Sequence, residues 1–237
     1  MQTVAIVLAR SDSRRLPLKH FKSVSELTLL GFVFERLKAS DRIDKIVLAT
    51  TDRKVDDILA SAAMNIGYAI MRGEFEDVLS RFLNAAEIFH ADTVVKVNGD
   101  SPLISAEVID MIVEQLVTDK HSFITAKAKH CGLPIGVGAE IITLDALREL
   151  SLKAPQNHRE SITGYIFDEY NNLSYKAVPL KLHLEHDYSK VDLTVDEIVD
   201  LDRVNAVCGR LKKFTPGEIR LESLLNTING LRNEGEI

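Results

Sequence analysis

Cysteine is scarce: the 237 residues hold two, Cys131 and Cys208, with no CxxC or zinc-ligand spacing. That excludes a disulfide scaffold or a thiolate zinc site, and two reduced thiols in a cytoplasmic protein are expected. An excess of positive charge is also missing. The formal net charge is -6, so no bulk basic field awaits a nucleic-acid polymer, and any basic site must be local. Long apolar runs are absent as well. The first, Val4 to Ala9, is far too short to cross a bilayer, and no apolar region with a cleavage site follows Met1. No membrane partner is expected. The glycine-based motifs of several enzyme classes are missing too. There is no GxxxxGK[ST] loop, no GxGxxG after the first strand and no GxSxG elbow. "HLEH" (183–186) lacks the HExxH spacing, and in an extended chain His183 and His186 point to opposite faces, so no metal pair is expected there. No internal repeat or low-complexity tract occurs.

What remains is an ordinary globular composition, 46% hydrophobic and 27% charged. The first half alternates two periods. "TVAIVLA" (3–9), "KIVLAT" (45–50), "GYAIM" (67–71) and "DTVVKV" (92–97) are short apolar runs that predict buried strands. Between and after them, helical stripes appear. They are Leu30, Val33, Phe34, Leu37; then Val55, Ile58, Leu59, Ala62; then Leu79, Phe82, Leu83, Ala86; then Ile109, Ile112, Val113, Leu116, with Ser105 a helix cap. This alternation predicts an α/β domain with a mostly parallel sheet flanked by helices on both faces. The second half is less regular. Thr143 should cap a helix through Leu144, Leu147 and Leu150. "ESITGYIFDEY" (160–170) predicts another helix. "SYKAVPLKLHLEH" (174–186) predicts a half-exposed strand, and "DLTV" (192–195) a last strand. Two helices should follow, the second opened by a capping box at Thr215–Glu218. No Pro/Ser/Gly linker divides the halves. One domain over 1–237 is expected, with an irregular, β-containing subregion in its second half.

In open parallel sheets, ligands bind beyond the carboxyl ends of the strands. The segments leaving those ends are Arg10–Lys19, "TTD" (50–52), "RGEFEDVLSR" (72–81) and "NGDSPLI" (98–104). Together they supply guanidinium and ammonium groups, hydroxyls and an acid beside Gly99, a glycine that would let backbone approach a ligand closely. This is the inventory for a nucleoside triphosphate with a metal. Arginine binds phosphate oxygens bidentately, and Mg²⁺ takes one or two protein carboxylates. Each piece also has an ordinary reading: a solvated turn, an Asx-turn aspartate, surface arginines.

"LARSDSRRLPLK" (8–19) resembles the first loop of the cytidylyltransferases that make CMP-activated acidic sugars, approximately A-R-x-G-S-x-R-L-P-x-K. The likeness is to the branch of spore-coat polysaccharide biosynthesis, related to the CMP-sialate and CMP-Kdo synthetases. Further matches follow in order: "IDKIVLATTD" (43–52), "MRGEFEDVLSRF" (71–82), "VNGDSPLI" (97–104), "RESITGYI" (159–166) and "LTVDEIVDLDRV" (193–204). The resemblance implies a Rossmann-like nucleotide-diphospho-sugar transferase fold. It implies that CTP and an acidic, ulosonate-like sugar give a CMP-sugar and pyrophosphate, with Mg²⁺, by attack of a sugar oxygen on the α-phosphorus. It carries Arg10, Ser13, Arg15 and Lys19 to the triphosphate, with Ala9, Thr51, Arg72 and Asn98 completing the nucleotide-binding set. Arg10, Lys19 and Asp100 become the catalytic candidates, Asp100 and Asp196 the metal ligands. It also implies a homodimer, with residues near 120–190 facing the sugar and the partner subunit.

Four positions depart from the family pattern. Asp12 replaces the loop glycine and puts an acid where triphosphate should lie. Asp192 stands where a basic residue is usual, Ser161 where histidine is common, and Gly138 where an acid is frequent. The departures leave two alternatives beside the leading one: a related nucleotidyltransferase using another nucleotide or a phosphorylated acceptor, and a catalytically impaired nucleotide- or sugar-binding protein of a glycan pathway.

Overall fold

The computed structural model describes residues 1–237. Its elements run as follows. Strand β1 (Thr3–Leu8) leads through a small hairpin, β2 (Ser23–Val24) and β3 (Leu27–Thr28), into helix α1 (Leu29–Lys38). Then come β4 (Lys45–Thr51), α2 (Asp57–Asn65), β5 (Ala69–Gly73), α3 (Val78–Ile88), β6 (Thr93–Asn98) and α4 (Ala106–Thr118). The second half contains β7 (Phe123–Thr125), α5 (Ala128–Cys131), β8 (Glu140–Thr143), α6 (Leu144–Lys153), β9 (Val178–Pro179), α7 (Ile198–Arg210) and α8 (Leu221–Glu234).

Seven strands form one sheet in the order β5-β4-β1-β6-β8-β7-β9. The pairs β5–β4, β4–β1 and β1–β6 are parallel, and β8 runs antiparallel to both β6 and β7. The expected α/β architecture, a mostly parallel sheet between helices, is therefore present. Its cause is visible in β1, where Val4, Ala5, Ile6 and Val7 are all fully buried. Ala5 and Val7 join one apolar cluster with α1, α4, α7 and α8, while Val4 and Ile6 join the other with α3 and α6. Ser105 and Thr143 cap α4 and α6 as predicted, accepting from Val108 N–H and Ala146 N–H.

Several expectations fail, and each has a local reason. Val55 and Ile58 are about half exposed, because α2 starts only at Asp57 and buries Leu59, Ala60 and Ala63. The helix expected over 160–170 is a single 3₁₀ turn, Gly164–Phe167, beyond Ile162, whose φ of 55° breaks any continuous helix. The strand expected over 174–186 reduces to Val178 and Pro179 beside β7. Leu180 is buried, but Pro179 has no N–H to extend a ladder. The strand expected at 192–195 is a lone bridge between Ile135 and Asp192. The capping box is present, with Glu218 accepting from Thr215 N–H, but it closes the 3₁₀ turn Pro216–Glu218, and α8 begins at Leu221. The hairpin β2–β3, β7 and α5 had no signal strong enough to be read.

Candidate active site

The order β5-β4-β1-β6 reverses direction of winding between β1 and β6, and this switch point opens a crevice at their carboxyl ends. A cleft of about 780 Å³ lies there. The chain leaving β1 is pinned to the sheet before it turns into the cleft. Gly99 N–H donates to Leu8 O at 2.8 Å, and Ser11 N–H donates to Asp56 Oδ1 at 2.5 Å. Asp56 is fully buried and also accepts from the Thr51 hydroxyl. Gly99 is needed for close approach of protein, not of ligand. A Cβ there would lie 2.9 Å from Ala9 Cβ and 3.1 Å from Leu8 O.

Four predicted side chains converge on one ion-pair cluster. Lys19, 8% exposed, directs its ammonium at Asp100 Oδ2 (3.0 Å), Asp196 Oδ1 (2.9 Å) and Val195 O (3.0 Å), which uses all three of its protons. Arg15 Nη2 holds the other oxygen of Asp196 at 2.8 Å. Burial works against the Asp196 carboxylate, but Lys19 and Arg15 outweigh it and hold its pKa below the usual range. His20, beneath Lys19, bonds to Gly99 O and is kept neutral by burial and the Lys19 charge, its pKa pushed down to about 4. Two carboxyl groups that share one cation at the floor of a cleft are a hard-oxygen donor set. That set fits a Mg²⁺-class ion, which takes one or two protein carboxylates and fills its remaining positions with phosphates and waters.

Asp12 does not stand as a free charge. Its carboxylate pairs with Arg53 Nη1 at 2.9 Å and Arg10 Nε at 3.4 Å. The hydrogen bond from Arg53 holds its pKa low, so it stays ionised between two guanidinium groups, of which Arg53 also reaches Asp56 at 3.4 Å. Both guanidinium groups lie over the Phe75 ring, at 3.8 Å for Arg53 and 4.9 Å for Arg10. Asp192 is not in the cleft at all. It accepts from Thr194 N–H and Oγ1–H, closing a turn that leads to Asp196. Gly138 has no room for an acid, since a Cβ would fall 1.8 Å from Ala126 O.

Of the predicted site residues, Ala9, Arg10, Ser13, Arg15, Lys19, Asn98, Asp100 and Asp196 line the cleft. Thr51 and Arg72 do not. Thr51 is buried against Asp56. Arg72 turns from the cleft to Asp57 (2.7 Å) and to the carbonyls of Thr51 and Arg53.

The sequence reading missed a second polar cluster. Buried Glu140 lies 3.3 Å from Lys96 and 3.1 Å from Lys127, with Thr163 Oγ1 donating to it at 2.7 Å. Burial opposes its charge, but the two ammonium groups prevail and keep it ionised. Lys96 and Lys127 face both the main cleft and an adjoining cavity of about 320 Å³. Alternation along β6 put Lys96 on the same face as Val94 and Asn98, which was the one signal available.

Known proteins resemble this chain in sequence and fold. Residues 4–207 match the family described as cytidylyltransferase. An uncharacterised protein of Methanocaldococcus jannaschii is 33% identical over 84% of this chain and 80% of its own length. The spore coat polysaccharide biosynthesis protein SpsF of Bacillus subtilis is 28% identical over 85% and 84%. A cytidylyltransferase structure from Leptospira borgpetersenii superposes with a TM-score of 0.85 at 28% identity, covering 99% of this chain and 95% of that one. A family match over residues 4–207 and a matching fold over nearly the whole chain agree: the chain belongs to the cytidylyltransferase family of nucleotidyltransferases.

Proposed function

We propose that the protein uses CTP and a divalent metal, Mg²⁺, to activate an acidic, ulosonate-like sugar to its CMP derivative for surface glycan synthesis, releasing pyrophosphate. One observation carries the reading. At the switch point, Lys19 gathers Asp100 and Asp196 at the foot of a loop that also presents Arg10, Ser13 and Arg15.

In this reading Arg10, Ser13 and Arg15 receive the triphosphate, and Ala9 and Asn98 border the nucleoside. Lys19 holds the carboxyl groups of Asp100 and Asp196 close together. A cation held by Asp100 and Asp196 would neutralise phosphate charge and favour loss of the acceptor's hydroxyl proton. The acceptor oxygen forms a bond to the α-phosphorus, the bond from that phosphorus to the bridging oxygen breaks, and the electron pair leaves with pyrophosphate. The hydroxyl proton passes to solvent. The guanidinium groups stabilise the charge that builds on the departing pyrophosphate. Lys96 and Lys127 support an acidic acceptor. With Glu140 between them they leave one positive charge over, at the junction of the cleft and the smaller cavity. A homodimer through residues 120–190 belongs to the same reading, and light scattering after gel filtration tests it.

The pairing of Asp12 with Arg10 and Arg53 weighs against an impaired binding protein. A thermal-shift screen of CTP, UTP, GTP and dTTP with Mg²⁺ tests the nucleotide, since the one that binds raises the melting temperature. Stabilisation by CTP above the others is expected; stabilisation by another nucleotide instead, or by none, refutes the reading.

A further inference from the structure

Two arginines that line the cleft, Arg14 and Arg81, have no carboxylate within ion-pair distance; Arg14 is exposed to solvent, and Arg81 is buried. Arg81 lies on α3, 4% exposed, and lines the cleft. Its guanidinium makes a single hydrogen bond, from Nη1 to Glu74 O at 2.5 Å, and Nε is buried without a partner. No carboxylate lies within 4 Å of it, whereas Arg10, Arg15, Arg53 and Arg72 are all ion-paired. Arg36, the other fully buried arginine, differs. It sits away from the cleft and its guanidinium donates to three carbonyls, Ile104 O, Pro216 O and Ile219 O, which accounts for it as a structural pin. Nothing comparable accounts for Arg81.

A buried guanidinium N–H left without an acceptor is unfavourable, and an acceptor entering the cleft would relieve it. The fold holds the group in place regardless. The stem of Arg81 packs on Gly73, where a Cβ would come within 3.3 Å of Cγ. Any side chain at position 73 would push the stem aside, so β5 ends in glycine where Arg81 crosses it. Burial disfavours the charged guanidinium, Asp56 and Asp52 favour it from a distance, and Arg10 and Arg53 oppose it.

We infer that Arg81 is a substrate-binding residue, whose guanidinium receives an anionic oxygen in the cleft. The inference rests on the reading that the cleft takes a nucleotide and an acidic acceptor. The oxygen belongs either to a phosphate of the nucleotide or to the acceptor's carboxylate, and a planar fork suits both.

The test uses Arg81→Lys and Arg81→Gln in the full chain. Calorimetry reads binding of inorganic pyrophosphate and of CTP with Mg²⁺, and initial rates read the KM of the acceptor. If the oxygen is a phosphate's, both variants lose roughly tenfold or more in affinity for CTP or pyrophosphate. If it is the acceptor's, CTP binding holds and the acceptor KM rises by a similar factor. Arg81→Lys keeps the stem and the charge, so it decides the matter should Arg81→Gln fail to fold. Affinities and KM within twofold of wild type in a folded variant overturn the inference. Wild-type protein that binds pyrophosphate but not CTP refutes the CTP reading alone, and the pyrophosphate affinities of the variants still decide Arg81. Wild-type protein that binds neither overturns both.

Discussion

Asp12 is the residue at which a charge argument and a geometric one give opposite signs. An unpaired carboxylate about 4 Å from a phosphate would weaken binding by on the order of 1–4 kcal/mol, so its removal would tighten binding. The observed carboxylate is paired twice, at 2.9 Å with Arg53 and 3.4 Å with Arg10, and is 32% exposed. Partly exposed pairs of this kind contribute about 0–1 kcal/mol each. Asp12→Gly therefore removes about 1 kcal/mol of support from Arg10, frees the loop backbone, and leaves two like charges beside Phe75. The added positive charge attracts phosphate, but salt with a Debye length of about 8 Å damps that gain. The expected result is CTP affinity reduced by roughly fivefold, measured by calorimetry at physiological ionic strength with Mg²⁺. Asp12→Asn, which keeps a carbonyl acceptor for Arg53, should fall between the two. Tenfold tighter binding by Asp12→Gly would refute the clamp and restore the view of Asp12 as an obstacle.

Lys19→Met leaves Asp100 and Asp196 facing each other without their shared cation. The melting temperature should fall, and added Mg²⁺ should raise it more in the variant than in wild type; equal Mg²⁺ responses would show that the two acids do not share a cation site. Gly138→Asp, which supplies the acid frequent in the family, should destabilise by more than about 2 kcal/mol because the side chain meets Ala126 O; an unchanged denaturation midpoint would contradict that. Glu149 has its pKa lowered to about 2 by the Lys153 hydrogen bond and those from Ser174. A lowered folded-state pKa gives stability that is present above the unfolded value near 4.5 and lost as pH falls through about 2. Glu149→Gln should therefore melt lower than wild type at pH 7 and converge with it toward pH 2; a difference that persists there rules out the ion pair as its source.

The parts of the fold that were legible in the sequence are those where one force dominates. Buried strands such as Val4–Val7 and amphipathic helices such as Ile109–Leu116 follow from apolar periodicity alone. Residues 155–195 are held instead by side-chain bonds to other segments, such as Arg159 to Ser151 O and to the Asp77 carboxylate, and no local period encodes these. The same division runs through the site. Arg10, Ser13, Arg15, Lys19 and Asp100 sit on segments that leave β1 and β6, so topology alone gathers them, whereas Asp196 follows a lone bridge and was legible only through the motif around it. Arg72 and Arg81 could not be told apart, because both belong to one charged segment after an apolar run. Only the extent of β5 through Gly73 shows that Arg72 is still a strand residue facing α2, while Arg81 reaches the cleft from α3. The pairing of Asp12 is hidden from the sequence for a related reason: its partner Arg53 is remote in sequence and becomes adjacent only through the pairing of β1 with β4.

Incubation of the protein with CTP, Mg²⁺ and a panel of 3-deoxy-2-ulosonic acids, followed by mass spectrometry and a pyrophosphate assay, tests cytidylyl transfer most directly. One acceptor should gain the mass of a CMP group with an equal amount of pyrophosphate, and Asp100→Asn should abolish both. Failure to release pyrophosphate across the panel, with no CTP binding by calorimetry, would contradict the assignment.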